Sequence, residues 1–220
     1  MSTRSTVYLE ALEHLPDAAM LVVSNVTWEQ YEDLLTELAD RPGLRVSYDE
    51  GRLQVMSPSK EHEEYVELIV RIAQVLSEEL SVLLETYGSA TWKRRILQKG
   101  VEPDTCFYVA NAHRVIGKRT LDLDVDPPPD VVVEIDITNE SLSKFPIYAA
   151  IGVPEIWRYD RARVQMFELS GDRYASTVGS RFFSGFSCAM LLESLDLAKT
   201  LGQTEALKRL RERFHARHQE

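Results

Sequence analysis

The chain has 220 residues, of which 44% are hydrophobic and 27% charged, and a formal net charge of −10 at pH 7. That length can bury a sizeable core in one domain, and the composition is ordinary for a globular protein. No run of eighteen apolar residues is present to cross a bilayer. The acidic balance argues against nonspecific nucleic-acid binding, which depends on neutralising phosphates. The charge is uneven, however. Acids crowd residues 29–85, whereas "TWKRRILQKG" (91–100) holds four cations and no acid, and "LKRLRERFHARH" near the C-terminus is basic.

The N-terminal "MSTRSTVYLEALEHLPD" carries acids and no long apolar stretch, unlike a secretory leader. Cys106 and Cys188 are far apart and form neither a disulfide framework nor a zinc motif, so a reducing, cytoplasmic setting is expected. Both thiols read as small buried hydrophobes. "NVTWEQYEDLLTEL" opens with Thr27 and Gln30 at capping-box spacing and predicts a short helix. "LRVSYDEGRLQVMSP" predicts two strands about a turn at Asp49–Gly51. Ser57–Pro58–Ser59 then starts a long helix with an apolar stripe of His62, Val66, Ile69, Ala73, Leu76, Leu80 and Leu83. Glu61, Glu63, Glu64 and Glu67 form its solvated face and suit the positive end of the helix dipole.

Strands are expected at 90–97 and 102–110, a polar loop at 111–129, and a further strand at 130–137. "NESLSKFPIYAAIG" predicts a helix capped by Asn139, Ser141 or Ser143, with Pro146 in its first turn and Gly152 at its end. "EIWRYD", "RVQMFELSG" and "RYASTVGSRFF" read as a strand meander. Helical packing follows from Leu191 onward, through Leu195, Ala198, Leu201, Leu207, Leu210 and Phe214. The order predicts an α/β or α+β fold with a mixed sheet. Segment 203–217 has an apolar stripe and a basic face. It suits a helix covering a sheet edge, a dimer contact or a phosphate-contacting arm.

The most apolar segments contain three acids. In "PPDVVVEIDIT" (127–138), Glu134 and Asp136 are two apart on a strand, so they share a face at roughly 6.6 Å spacing. Val131, Val133, Ile135 and Ile137 take the core face. In "GVEPDTCFYV" (100–109), Asp104 supplies a third carboxylate if its strand lies alongside. Buried carboxylates on one face repel and need partners. A divalent cation would satisfy them, and so would a neighbouring Arg or Lys; on this pattern alone both stay open. Lys144 lies eight positions after Asp136, where a returning connection can bring its ammonium over the strand end. Acids plus a lysine are what metal-assisted phosphodiester hydrolysis requires.

These pieces, with "VTWEQYEDLL", "YDEGRLQVMSPSKEHE" and "KFPIYAAIGVPEIWRYD", resemble the PD-(D/E)xK nuclease superfamily, and more specifically its Uma-type family of restriction-endonuclease-like domains. The resemblance covers roughly residues 24–190. It implies a restriction-endonuclease-like α/β core, a mixed β-sheet flanked by helices, preceded by an arm at 1–23 and followed by a helical segment at 191–220. It also implies Mg²⁺-dependent (or Mn²⁺-dependent) cleavage of DNA, with a homodimer to cut both strands. Asp104 matches the PD acid and Glu134 the first acid of the (D/E)xK element. Position 136, where the superfamily has lysine, carries Asp, a further candidate metal ligand; Lys144 holds the lysine position on the following helix. His62 matches a histidine after "SPS" and is expected to line the site. Lys93, Arg94 and Arg95 are the candidates for contact with the nucleic-acid backbone. The competing expectation is a catalytically inactive nucleic-acid-binding or partner-binding module on the same fold.

Overall fold

The computed structural model describes residues 12, 14–39, 43–137 and 142–217. The expected caps Asn139 and Ser141, and most of the expected arm at 1–23, lie outside the described residues. The hairpin around Asp49–Gly51 forms as read. Its two loop residues, Glu50 (φ 47°) and Gly51 (φ 96°), are both left-handed, the conformation whose twist suits a two-residue hairpin.

That hairpin belongs to a five-stranded antiparallel sheet made of β1 (Met20–Val23), β2 (Arg45–Asp49), β3 (Arg52–Met56), β5 (Trp92–Arg94) and β6 (Lys99–Val101), in the order β1-β3-β2-β6-β5. Helix α1 (Trp28–Leu38) lies on it, started by the reciprocal Thr27–Gln30 capping box. Trp28, Tyr31 and Leu34 pack on Tyr48, Leu53 and Val55. A Cβ on Gly100 would fall 2.1 Å from the Tyr31 hydroxyl, so only glycine lets that ring rest on β6.

The second sheet has six strands: β4 (Glu85–Thr86), β7 (Thr105–Tyr108), β8 (Val131–Ile135), β9 (Glu155–Tyr159), β10 (Val164–Ser170) and β11 (Arg173–Thr177), in the order β11-β10-β9-β8-β7-β4. Only β8 and β9 run parallel, so the sheet is mixed. Parallel neighbours need a crossover. Here it is a 3-10 turn at Leu142–Lys144 running into a helix at Phe145–Ile151, which has Pro146 in its first turn and ends on left-handed Gly152 (φ 85°).

The long helix α2 (Lys60–Leu80) starts at Ser59, whose hydroxyl accepts the His62 N–H, and stops where Ser81 turns left-handed. With the short α3 (Ala112–Val115) counted next, the crossover helix is α4, and the C-terminal pair are α5 (Cys188–Leu201) and α6 (Gln203–Arg217). On one face of the larger sheet, Ile69, Ile72 and Leu76 of α2 pack with Val131, Val133, Ile135 and Trp157, sealed by Leu195, Leu210 and Phe214. Each such fully buried side chain contributes about 1.5–3 kcal/mol. On the other face, Cys106, Tyr108, Val132 and Ile156 pack against Ile147, Tyr148 and Ile151 of α4.

Several expectations are corrected. The strand expected at 102–110 is shorter and starts later, at β7 (Thr105–Tyr108). β6 ends at Val101 in the smaller sheet and β7 begins at Thr105 in the larger, with Pro103 between them lacking the N–H that a continuous ladder needs. Residues 90–97 give only β5 and then a 3-10 turn at Arg95–Leu97. Leu83 lies past the end of α2 and is exposed, as is Leu201. Helix α6 packs on α2 and α5 rather than over a sheet edge. Its cations pair with acids, Arg211 with Glu78 and Arg213 with Glu193.

Candidate active site

The junction between the sheets positions the first acid. Asp104 follows Pro103 immediately before β7, and its N–H bonds to Val133 O at 3.2 Å. The β7–β8 register (Thr105 opposite Val133) places Asp104 opposite Glu134. The alternation read in the sequence sends Val131, Val133 and Ile135 into the core and Glu134 to the opposite face, toward α4.

Asp104, Glu134, Lys144 and His62 are 2%, 1%, 6% and 4% exposed, so their charges act with little screening by water. Lys144 Nζ donates to Glu134 Oε2 at 2.8 Å and to the backbone carbonyl of Glu102 at 3.3 Å. The Tyr148 hydroxyl donates to the other oxygen, Glu134 Oε1. Asp104 Oδ2 accepts the Ile135 N–H at 2.7 Å and lies 3.0 Å from His62 Nε2. The histidine is off the line of a hydrogen bond, so that contact is chiefly one of charge. Asp104 Oδ1 is buried and has no hydrogen-bond partner among the described residues. His62 Nδ1 is 3.5 Å from Glu63, which also pairs with Arg45 at 3.0 Å.

The electrostatics separate the two acids. Burial opposes ionisation of Asp104, but His62, Lys144 and the Ile135 N–H outweigh it and hold the carboxyl below its ordinary range. Burial pushes Glu134 up to about 8; Lys144 opposes this and the Asp104 charge adds to it. Burial also pulls Lys144 down, yet Glu134 and Asp104 together raise it, so the ammonium stays charged. For His62 the pull of burial is overcome by Asp104 and Glu63, which lift it to about 9. Burial and then Glu134 raise the Tyr148 phenol well above its ordinary value, so it remains a donor.

Asp104, Glu134 and Lys144 are therefore brought together, with His62 against Asp104. Asp136, just past β8, takes the Nε–H of Arg158, whose Nη1 reaches Gln165 at 3.0 Å. Arg158 is directly across from Glu134 in the β8–β9 register. Lys93, Arg94 and Arg95, on β5 of the smaller sheet and the turn after it, pair with Glu32, Asp124 and Glu29. Sequence reading passed over Tyr148, Arg158 and the Glu102 carbonyl. Four-residue spacing from Lys144 was the available signal for Tyr148.

A matching family model, described as "Uma2: Putative restriction endonuclease", spans residues 28–199. The chain belongs to the Uma2 family. The motif resemblance is borne out, and membership of Uma2 supports a nuclease-like, hydrolytic function. No curated protein matches. A solved structure described as "a putative nuclease belonging to DUF820 from Anabaena variabilis ATCC 29413" is similar over 67% of this chain and 89% of that one, at 13% identity and a TM-score of 0.47.

Nucleases of the restriction-endonuclease-like kind generally use divalent metals. Among the described residues no group of three His, Cys, Asp or Glu side chains is set to hold a metal. Two facing carboxylates, one with a buried oxygen that lacks a partner among the described residues, fit the smaller requirement of Mg²⁺, which takes one or two carboxylates and fills its remaining positions with water and phosphate. No helix among the described residues is long and apolar enough to cross a membrane.

Proposed function

We propose that this chain is a divalent-metal-dependent endonuclease that hydrolyses DNA phosphodiester bonds. One observation carries the reading: Asp104, Glu134 and Lys144, from β7's entry, β8 and the turn before α4, meet in one buried cluster. Asp104 and Glu134 would hold Mg²⁺ or Mn²⁺. When bound, such an ion polarises a phosphoryl oxygen and acidifies its water. Lys144 keeps a proton on Nζ and offsets negative charge beside Glu134. His62 lines the site and sets the charge of Asp104. Asp136 extends the acidic face while Arg158 balances it.

Lys93, Arg94 and Arg95 are proposed to contact the DNA backbone. Their present pairs are part-exposed and contribute under about 1 kcal/mol each, so phosphates can replace them. Residues 24–190 would form the nuclease unit, and two copies would cut both strands of DNA in the cytoplasm.

The test is plasmid nicking with Mg²⁺ or Mn²⁺ by wild type, Asp104→Ala and Lys144→Ala. Cleavage by wild type alone is expected; equal rates in all three would end the proposal. A second reading, a non-catalytic nucleic-acid-binding module, is favoured by one feature: both oxygens of Glu134 are already bonded within the chain. It requires DNA binding that persists in chelator, with no calorimetric Mg²⁺ binding and no cleavage.

A further inference from the structure

We propose that Tyr148 is a positioning residue whose phenol fixes the Glu134 carboxylate for a divalent cation; this rests on the nuclease reading above. Lys144 stands at the N-terminal boundary of α4 and Tyr148 one turn further on, so both lie on the same side of the helix. They divide Glu134 between them, Lys144 on Oε2 and Tyr148 on Oε1.

The two donors differ in mobility. Lys144 has a four-carbon stem and a second anchor at the Glu102 carbonyl, 3.3 Å away, so it can leave Oε2 without leaving the site. Tyr148 is fully buried among Cys106, Val132, Ile147 and Ile156, and its ring has no room to swing. Oε2 is thus the exchangeable oxygen and Oε1 the fixed one. A rigid donor on one oxygen removes rotational freedom from the carboxylate before any ligand arrives, which is how groups behind a metal ligand raise its affinity. Packing alone would call for a phenylalanine here; a phenol aimed at the acid adds orientation.

The experiment is calorimetric titration with Mn²⁺ alone, at one pH, of wild type, Tyr148→Phe and Glu134→Gln, followed by plasmid nicking across Mn²⁺ concentrations. Wild type should bind, Glu134→Gln should not, and Tyr148→Phe should melt cooperatively yet bind about tenfold more weakly. Its half-maximal Mn²⁺ for nicking should rise by the same factor, with the rate at saturation within about twofold of wild type. Unchanged affinity in a Tyr148→Phe protein of lowered melting temperature would make the residue merely structural and overturn this inference alone. Absence of Mn²⁺ binding by wild type would overturn the nuclease reading along with it. If Tyr148→Phe does not melt cooperatively in buffer, it and wild type are both titrated in a stabilising osmolyte such as sucrose. About tenfold weaker binding by the variant there supports the assignment, and equal affinity rejects it.

Discussion

Asp104 and Ile135 are tied across the β7–β8 boundary: one carboxylate oxygen of Asp104 accepts the Ile135 N–H at 2.7 Å, while the other is buried without a hydrogen-bond partner among the described residues. The same side chain is thus a structural acceptor through one oxygen and, on the proposed function, the candidate metal ligand through the other. Asp104→Ala should lose both, leaving a buried N–H unpaired and lowering stability by about 1–3 kcal/mol. Asp104→Asn keeps an acceptor for Ile135 and should recover much of that stability, but not metal binding. Urea unfolding alongside Mn²⁺ calorimetry separates the two roles; parallel losses in both variants would contradict them.

Asp136 and Arg158 are expected to behave as a pair. Both side chains are nearly buried, so Asp136→Ala alone strands a guanidinium and should cost about 3–5 kcal/mol. The double variant Asp136→Leu/Arg158→Leu should regain most of it. If the double variant also retains wild-type Mn²⁺ affinity, Asp136 is not a ligand; a large loss of affinity in that well-folded protein would make it one.

The site should weaken the metal-free fold at alkaline pH. Glu134 is raised from 4.5 to about 8, and His62 from 6.5 to about 9. A folded-state value above the unfolded one means that protonation favours the fold. Its contribution is therefore complete below the unfolded value and is lost as pH climbs through the folded one. Chelator-treated protein should lose on the order of a few kcal/mol between about pH 5 and 9. Glu134→Gln should flatten that decline, as should His62→Gln. Metal affinity should run the opposite way, rising with pH as Glu134 gives up its proton. A pH-independent denaturation midpoint for the chelated wild type would refute the coupling.

Cys106 should be inert. It is fully buried, and burial pushes its thiol to about 12. Alkylation of native protein at neutral pH should reach Cys188, which is only half-buried, well before Cys106. Mass spectrometry of the modified peptides reads this directly, and early labelling of Cys106 would show that the β7 core opens.

Local chemistry carried much of this arrangement in the sequence. The Thr27–Gln30 cap, the Asp49–Gly51 hairpin, the Ser59 helix start and the inward alternation of Val131, Val133 and Ile135 each depend on near neighbours and form as read. What escaped depends on distant partners. "GVEPDTCFYV" has no local feature that assigns its halves to different sheets. Tyr148 sits in an apolar helix and reads as packing until Glu134 is placed beside it. Arg158 is 22 residues from Asp136, and only the parallel register brings them together. The C-terminal stripe specified a buried face for α6, but not that other helices would cover it.

Val101 closes one sheet and Thr105 opens the other, so Glu102, Pro103 and Asp104 are the bridge between two separate hydrogen-bonded layers. The Glu102 carboxylate grips the Val46 N–H of the smaller layer at 2.8 Å, while its carbonyl steadies Lys144. Tilting one layer against the other would therefore strain the lysine's anchor and the first acid together. If the proposed function holds, a nucleic acid wedged against the smaller layer would have a mechanical lever on Asp104 and Lys144 without touching them.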